Sequence, residues 1–178
     1  MQAIKLFGLL AVLTLFFACG DDDDNVITPT IENEFTINDT TFPLNGTAYV
    51  TNEFLSSDEE VYVIFLTGEG VSVDDGDLVG DGVTALLAVT AEAGGLPDGT
   101  YQPAQEGDFE EDGRRLGRFY LEAVESLEND DFSLEEDVTA GSVTISTVSG
   151  QRQIVIEGVE AGSDTYSGSF RGSLTSLD

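Results

Sequence analysis

The chain has 178 residues, of which 35 are Asp or Glu and six are Lys or Arg, so its formal net charge at pH 7 is −29. Nucleic acids and anionic lipids are bound through Lys and Arg, and this charge argues against both as partners. The chain contains no His, one Lys (Lys5) and one Cys (Cys19). A Ser-His-Asp triad, a His-ligated metal and a Lys Schiff base in a mature domain are therefore excluded. A glycosidase that uses two carboxylates about 5–9.5 Å apart is not excluded, but among 35 acids no pattern locates such a pair, and we expect no enzymatic activity.

The N-terminal 18 residues have the pattern of a signal peptide. Lys5 precedes the apolar stretch Leu6–Ala18, which is shorter than the about 20 residues that a transmembrane helix needs. The following Ala18-Cys19-Gly20 resembles the lipobox of bacterial lipoproteins. That resemblance implies cleavage before Cys19 and acylation of its thiol, which anchors the protein to a lipid bilayer. The alternative is an ordinary secretory signal.

An acidic run, Asp21–Asp24, follows the Cys directly. It resembles the export signal of bacteroidete surface lipoproteins, which implies an outer-membrane protein that faces the cell exterior. The alternative is a solvated spacer that holds a periplasmic domain away from the membrane. Residues 19–33 are predicted to be a flexible acidic linker. Removal of residues 1–18 leaves five Arg against 35 acids, a formal charge of −30.

Residues 34–178 have the pattern of a single all-β domain. Short runs rich in Val, Ile, Thr, Tyr and Phe alternate with Gly, Asp and Pro, which is typical of antiparallel strands. We expect about 8–10 strands in one antiparallel β-sandwich or small β-barrel. Strands are predicted around residues 35–37, 48–54, 61–67, 83–91, 100–102, 116–124, 143–147, 154–156 and 166–174.

Two of the predicted strands have informative side-chain patterns. Val61–Thr67 is apolar at successive positions, which predicts a central strand covered on both faces. In Tyr166–Leu174 the even-numbered positions alternate between large side chains and Gly. This pattern is expected where a strand bends or where a neighbouring backbone approaches closely.

The stretches LPDGTY, GSVTIS, QIVIEG and YSGSFRGSL, between Leu96 and Leu174, resemble small all-β lipoproteins of bacteroidetes. Some of these have calycin-like barrels. The resemblance implies a small barrel, and it adds a calycin-like carrier of a small apolar ligand as one functional alternative.

The segment Val73–Gly82 is the candidate metal site. It contains Asp74, Asp75, Asp77 and Asp81 between two predicted strands. Gly-rich Asp loops can wrap calcium, which binds six to eight oxygen ligands. The spacing is not that of an EF-hand, and Gly and Asp are equally typical of a solvated turn. Calcium is the only cofactor that the sequence suggests.

Two further charged loops and the tyrosines are candidate contact residues. Glu106–Arg118 combines acids with Arg114, Arg115 and Arg118, which either compensate local charge or form a guanidinium clamp for a carboxylate or sulfated sugar. Glu125–Asp137 is acidic, with Phe132 and Leu134 available to pin it to the core. The five tyrosines either stack on a glycan or belong to the core; they are Tyr49, Tyr62, Tyr101, Tyr120 and Tyr166.

These observations predict a non-catalytic, membrane-anchored lipoprotein whose β-domain binds a ligand, a glycan or an envelope protein. Loops on a rigid β-scaffold commonly carry recognition, so residues 68–82, 104–115 and 125–140 are the predicted contact surfaces. A structural or accessory subunit of an outer-membrane complex is the second alternative.

Overall fold

The structure is a computed structural model that describes residues 31–54, 59–105, 108, 116–127 and 137–177, without the side chains of residues 53 and 54. These residues lie in one compact unit, Ile31–Asp178. They form twelve strands and no helix. Accordingly, this part of the chain has no helix that could span a membrane.

The strands follow the predicted runs, with three additions. In chain order they are β1 Glu34–Ile37, β2 Thr40–Pro43, β3 Thr47–Phe54, β4 Glu59–Thr67, β5 Val71–Asp74, β6 Asp77–Gly80, β7 Thr84–Glu92, β8 Gly99–Pro103, β9 Arg118–Val124, β10 Val138–Val148, β11 Gln151–Ala161 and β12 Asp164–Ser176. The short strands β2, β5 and β6 were not among the predicted strands.

Eight strands form a closed barrel in the order β3-β4-β7-β9-β8-β10-β11-β12, and β12 returns to β3. The all-β prediction is confirmed, and of its two architectures the barrel is the one formed. Neighbouring strands are antiparallel except at two places, where β8 pairs with β9 and β12 pairs with β3 in parallel. The order differs from a simple meander because β9 lies between β7 and β8.

The last strand, β12, closes the barrel. One edge of β12 pairs with β11 from Asp164 to Gly172, and its other edge pairs first with β1 and then, from Ser173, with β3. A Cβ at Gly168 would lie 2.6 Å from the Glu34 carbonyl oxygen, and a Cβ at Gly172 would clash with the Gly46 carbonyl oxygen. Of the two explanations predicted for Gly in this strand, a bend or a close neighbour, the structure shows the close neighbour at both positions.

The barrel interior is apolar. Alternate residues of each strand point inward, and they form one contiguous buried cluster. The rings of Phe35 and Tyr166 stack within it at a centroid distance of 5.9 Å. Its largest fully buried side chains are Phe35, Phe119, Phe170, Ile64, Leu66, Leu87, Leu121, Ile145, Ile154, Val89, Val143 and Val159. The interior of an eight-stranded barrel either is filled by side chains or holds one small ligand; here the large buried side chains occupy the inward positions and form the scaffold on which the loops are held.

A second, smaller apolar cluster lies on the outer face of β4, β7 and β9. Val61, Leu86 and Ala88 are each 8% exposed, and Val63, Phe65 and Tyr120 pack against them. On β4 the even-numbered side chains belong to the interior cluster and the odd-numbered ones to this outer cluster. The prediction that Val61–Thr67 is a central strand covered on both faces is confirmed.

Candidate binding groove

The predicted calcium loop is folded for the most part as a β-hairpin. Asp75 and Gly76 connect β5 to β6 with φ values of 52° and 91°, and two consecutive positive φ values are characteristic of a type I′ turn. Asp74 pairs with Asp77 across the turn, and Val73 pairs with Leu78. We call this hairpin, Val71–Gly80, the arm.

The arm leaves the barrel through a narrow neck. A Cβ at Gly80 would clash with the Gly70 carbonyl oxygen, and a Cβ at Gly82 would clash with the Glu69 carbonyl oxygen. Gly70 and Gly80 also have φ values of 94° and 124°, which L side chains rarely adopt. The glycines at 80 and 82, which the sequence suggested as turn residues, thus allow two backbone segments to pass in contact and fix the base of the arm.

A groove of about 440 Å³ lies between the tip of the arm and the outer surface of the barrel. The arm contributes Gly76, Asp77 and Leu78, and the barrel contributes Thr51 of β3 and Phe65 of β4. Leu127, which follows β9, and Leu177, which follows β12, complete the lining. Phe65 also belongs to the outer apolar cluster, so the groove begins where that cluster meets the arm.

The groove is open to solvent, and among the described residues its lining combines four apolar side chains with Thr51, Gly76 and one carboxylate, Asp77. Phe65, Leu78, Leu127 and Leu177 are all half-buried, whereas Asp77 is exposed to solvent. Asp77 and Leu78 are consecutive residues of β6, and consecutive side chains of a strand point to opposite faces. The groove therefore lies beside the start of β6, next to the turn. In the described part of the chain, β5 and β6 pair only with each other, so the other edge of β6 has no strand partner.

The four aspartates of the predicted calcium site are all exposed. Asp74 and Asp77 lie opposite each other at the end of the arm, Asp75 lies in the turn, and Asp81 lies beyond β6. Within the ranges that the structure describes, no three acidic side chains are grouped so that they could hold a metal ion. The calcium site stays a prediction. Like charges directly opposite each other in a hairpin destabilise it, and salt weakens this repulsion by screening.

Two of the three predicted contact loops contribute to the groove: residues 68–82 through the arm tip, and residues 125–140 through Leu127. Most of the third loop, residues 104–115, lies outside the described residues. Its Asp108 is buried, accepts a hydrogen bond from the Gln105 N–H at 2.8 Å and pairs with Arg118 Nε at 3.4 Å. Local charge compensation is thereby confirmed for Arg118. The other predicted site residues outside the described ranges are Cys19, Asp21–Asp24, Arg114, Arg115, Phe132 and Leu134.

Three of the five tyrosines belong to the interior. Tyr62, Tyr101 and Tyr166 are between 3% and 6% exposed, so their rings are not available to stack on a sugar. Tyr120 lies on the outer face, where its hydroxyl donates a hydrogen bond to Glu122 at 3.0 Å. Burial raises the pKa of Tyr62, and its hydrogen bond to Glu60 raises it further. Burial also raises the pKa of Tyr101, against an opposing effect of the Arg152 charge.

A network of hydrogen bonds holds the loop between β7 and β8 over one end of the barrel. Arg152 donates to the Leu96 carbonyl and pairs with Asp98, which also accepts a hydrogen bond from the Thr147 N–H at 2.9 Å. The Thr147 N–H is the main reason that the pKa of Asp98 is lowered, and Arg152 adds to the effect. Leu96 is buried beneath these contacts, which close this end of the interior.

Sequence analysis did not identify the groove. Asp75-Gly76 between Val71, Val73 and Leu78 is a recognisable hairpin signal, and it could have located the arm. The groove brings together residues of the arm, β3 and β4 that are distant in sequence, and no local pattern contains that information. No protein-family model matches the chain, and no curated protein or solved structure is significantly similar to it.

Proposed function

We propose that this chain is a lipid-anchored outer-membrane lipoprotein whose β-barrel domain is a non-catalytic binding module. Acyl chains on Cys19 hold it in the bilayer, and Asp21–Asp24 direct it to the outer face of the cell. The support for this part is the resemblance of residues 15–24 to bacterial lipoprotein export signals. The domain meets its partner in the cell envelope through the groove.

The observation that carries the binding role is the groove itself. Its volume of about 440 Å³ lies within the range of about 300–1,000 Å³ that is usual for ligand sites. Its described lining combines four apolar side chains with one carboxylate, Asp77; apolar contacts give affinity through burial, and a polar contact gives orientation. The arm adds exposed apolar side chains beside it, because Val73 and Val79 are 36% and 40% exposed.

The sequence supports a binding role over catalysis. It provides no imidazole for proton transfer, and its one Lys and one Cys both lie in the segment that precedes the domain. The interior gives less support to a calycin-like carrier, because the inward positions hold large, fully buried side chains such as Phe119, Phe170 and Leu121.

Photo-crosslinking in intact cells tests this function. A photoreactive amino acid replaces Leu78 in the groove, and the matched control carries it at Val155, which is half-buried on β11 and does not line the groove. We expect a discrete adduct with an envelope component from position 78 alone. This adduct should disappear when Cys19→Ala prevents anchoring. Equal adducts from both positions, or none from position 78, would contradict a binding role for the groove.

A further inference from the structure

We infer that the groove binds an extended protein segment in which apolar side chains are flanked by Lys or Arg. This inference rests on the proposed function and specifies the chemistry of the partner. The apolar side chains of the segment would pack on Phe65, Leu78, Leu127 and Leu177, and a cationic side chain would pair with Asp77.

The cationic part follows from the charges around the groove. Asp77 lines it, and Asp74 and Asp75 are exposed on the same turn. Among the described arginines, Arg118 and Arg152 are paired with Asp108 and Asp98, and none lines the groove. A basic segment is therefore drawn to the groove by the field of the whole domain and by the nearest carboxylate.

The same charges exclude two other occupants. A second copy of this chain carries the same formal charge of −29, so its approach is opposed by repulsion. Anionic lipid headgroups are repelled for the same reason. A basic partner is the occupant that the charge of the domain favours.

The extended conformation follows from the edge of β6. Asp77 and Leu78, which line the groove, are the first two residues of β6, and among the described residues β6 pairs only with β5, so its other edge has no strand partner. An extended segment laid along such an edge can form main-chain hydrogen bonds, and its alternate side chains enter the adjoining groove. The close backbone contacts at the neck fix the base of the arm, so the arm loses less conformational entropy when a partner binds.

Isothermal titration of the mature full-length chain in detergent, with a chelator present, tests the inference. The probe is an acetylated and amidated peptide, Lys-Leu-Lys-Leu-Lys. One comparison peptide has Glu in place of Lys, and another has Ser in place of Leu. Saturable binding of the Lys-Leu peptide alone is expected. If the Glu-Leu peptide bound as tightly as the Lys-Leu peptide, the requirement for cationic side chains would be overturned. If the Lys-Ser peptide bound as tightly, the requirement for apolar side chains would be overturned, because charge attraction alone would explain binding.

Two pairs of matched variants locate the binding. We expect Asp77→Asn to weaken binding of the peptide about two- to fivefold, as for a partly exposed ion pair. Asp39→Asn, which removes an exposed carboxylate that does not line the groove, should leave the affinity unchanged. Leu78→Ala should weaken binding about tenfold through lost apolar burial, whereas Val155→Ala, which truncates a half-buried side chain that does not line the groove, should not. Equal losses within either pair would overturn the assignment to the groove.

Two outcomes separate this inference from the proposed function. If the Leu78 crosslink forms in cells but no peptide binds, the binding function stands and the basic extended segment is wrong. If hexylamine binds as tightly as the Lys-Leu peptide, the groove is a site for small amines and the protein segment is likewise wrong. Absence of both the crosslink and peptide binding would refute the function and the inference together.

Discussion

Replacement of Gly172 by Ala tests the way in which β12 closes the barrel. Gly172 is the last residue of β12 that pairs with β11, directly before Ser173 begins the pairing with β3. Its φ lies outside the left-handed region, so Ala can adopt the backbone conformation. The added Cβ would clash with the Gly46 carbonyl oxygen and would lie 2.7 Å from Phe170 Cζ, whereas real Cβ contacts essentially never fall below 3.0 Å.

The Gly46 carbonyl belongs to the backbone and cannot rotate away as a flexible side chain can. We therefore place the destabilisation at the upper end of the overpacking range, about 3 kcal/mol. For a chain of this size that corresponds to a fall in melting temperature of about 6–12 °C. Gly99→Ala is the matched control, because Gly99 begins β8, has no positive φ and has no atom within 4 Å of the added Cβ. It should be neutral or stabilise the protein by up to about 1 kcal/mol.

Urea and thermal unfolding of the full chain carrying Cys19→Ser, which removes the predicted acylation site, measure both variants. The reasoning would be refuted if Gly172→Ala were as stable as the parent, or if both alanine variants lost the same stability. Either result would mean that β12 does not meet the Gly46 backbone at the seam of the barrel.

Four further predictions follow from individual residues. The pKa of Asp98 is lowered in the folded protein. Its carboxylate therefore contributes stability above about pH 4, and this contribution is lost as the pH falls through the lowered pKa. When the free energy of unfolding is measured against pH, Asp98→Asn should make the loss of stability at low pH less steep. The raised pKa of Tyr101 should make stability fall as the pH rises above about 10, and Tyr101→Phe should make that fall less steep. We expect the melting temperature to rise gradually with sodium, magnesium or calcium chloride through screening; a saturable rise with calcium alone, lost in the Asp75→Asn, Asp77→Asn double variant, would establish the predicted calcium site instead. Cys19→Ala should release the protein from membranes on fractionation, and retention in the membrane fraction would show that acylation is not the anchor.

The strands of the barrel could be predicted because the information that specifies them is local. In β10 and β11, Val143, Ile145, Ile154 and Ile156 alternate with polar residues around Ser149-Gly150, and all four are buried. The Gly positions of β12 likewise indicated a bend or a close neighbour, although the identity of that neighbour depends on a fold that local patterns do not define.

The order of the strands could not be predicted. The insertion of β9 between β7 and β8 and the parallel closure of β12 on β3 depend on which distant segments pack together. The groove was missed for the same reason, because Thr51, Phe65, Leu127 and Leu177 come from four separate segments. The acidic residues of the arm were predicted to be metal ligands, whereas its apolar Leu78 is one of the residues that line the groove.

Hydrogen–deuterium exchange, measured on the protein in isolated envelopes and on the purified protein in detergent, is the most direct test of the groove. If a partner segment lies along the edge of β6, the amide of Leu78, which points away from β5, should exchange more slowly in the envelope sample, whereas β10 and β11 should exchange at equal rates in both. Identical exchange of the arm in the two samples, or protection confined to β10 and β11, would contradict the assignment of the groove as the binding site.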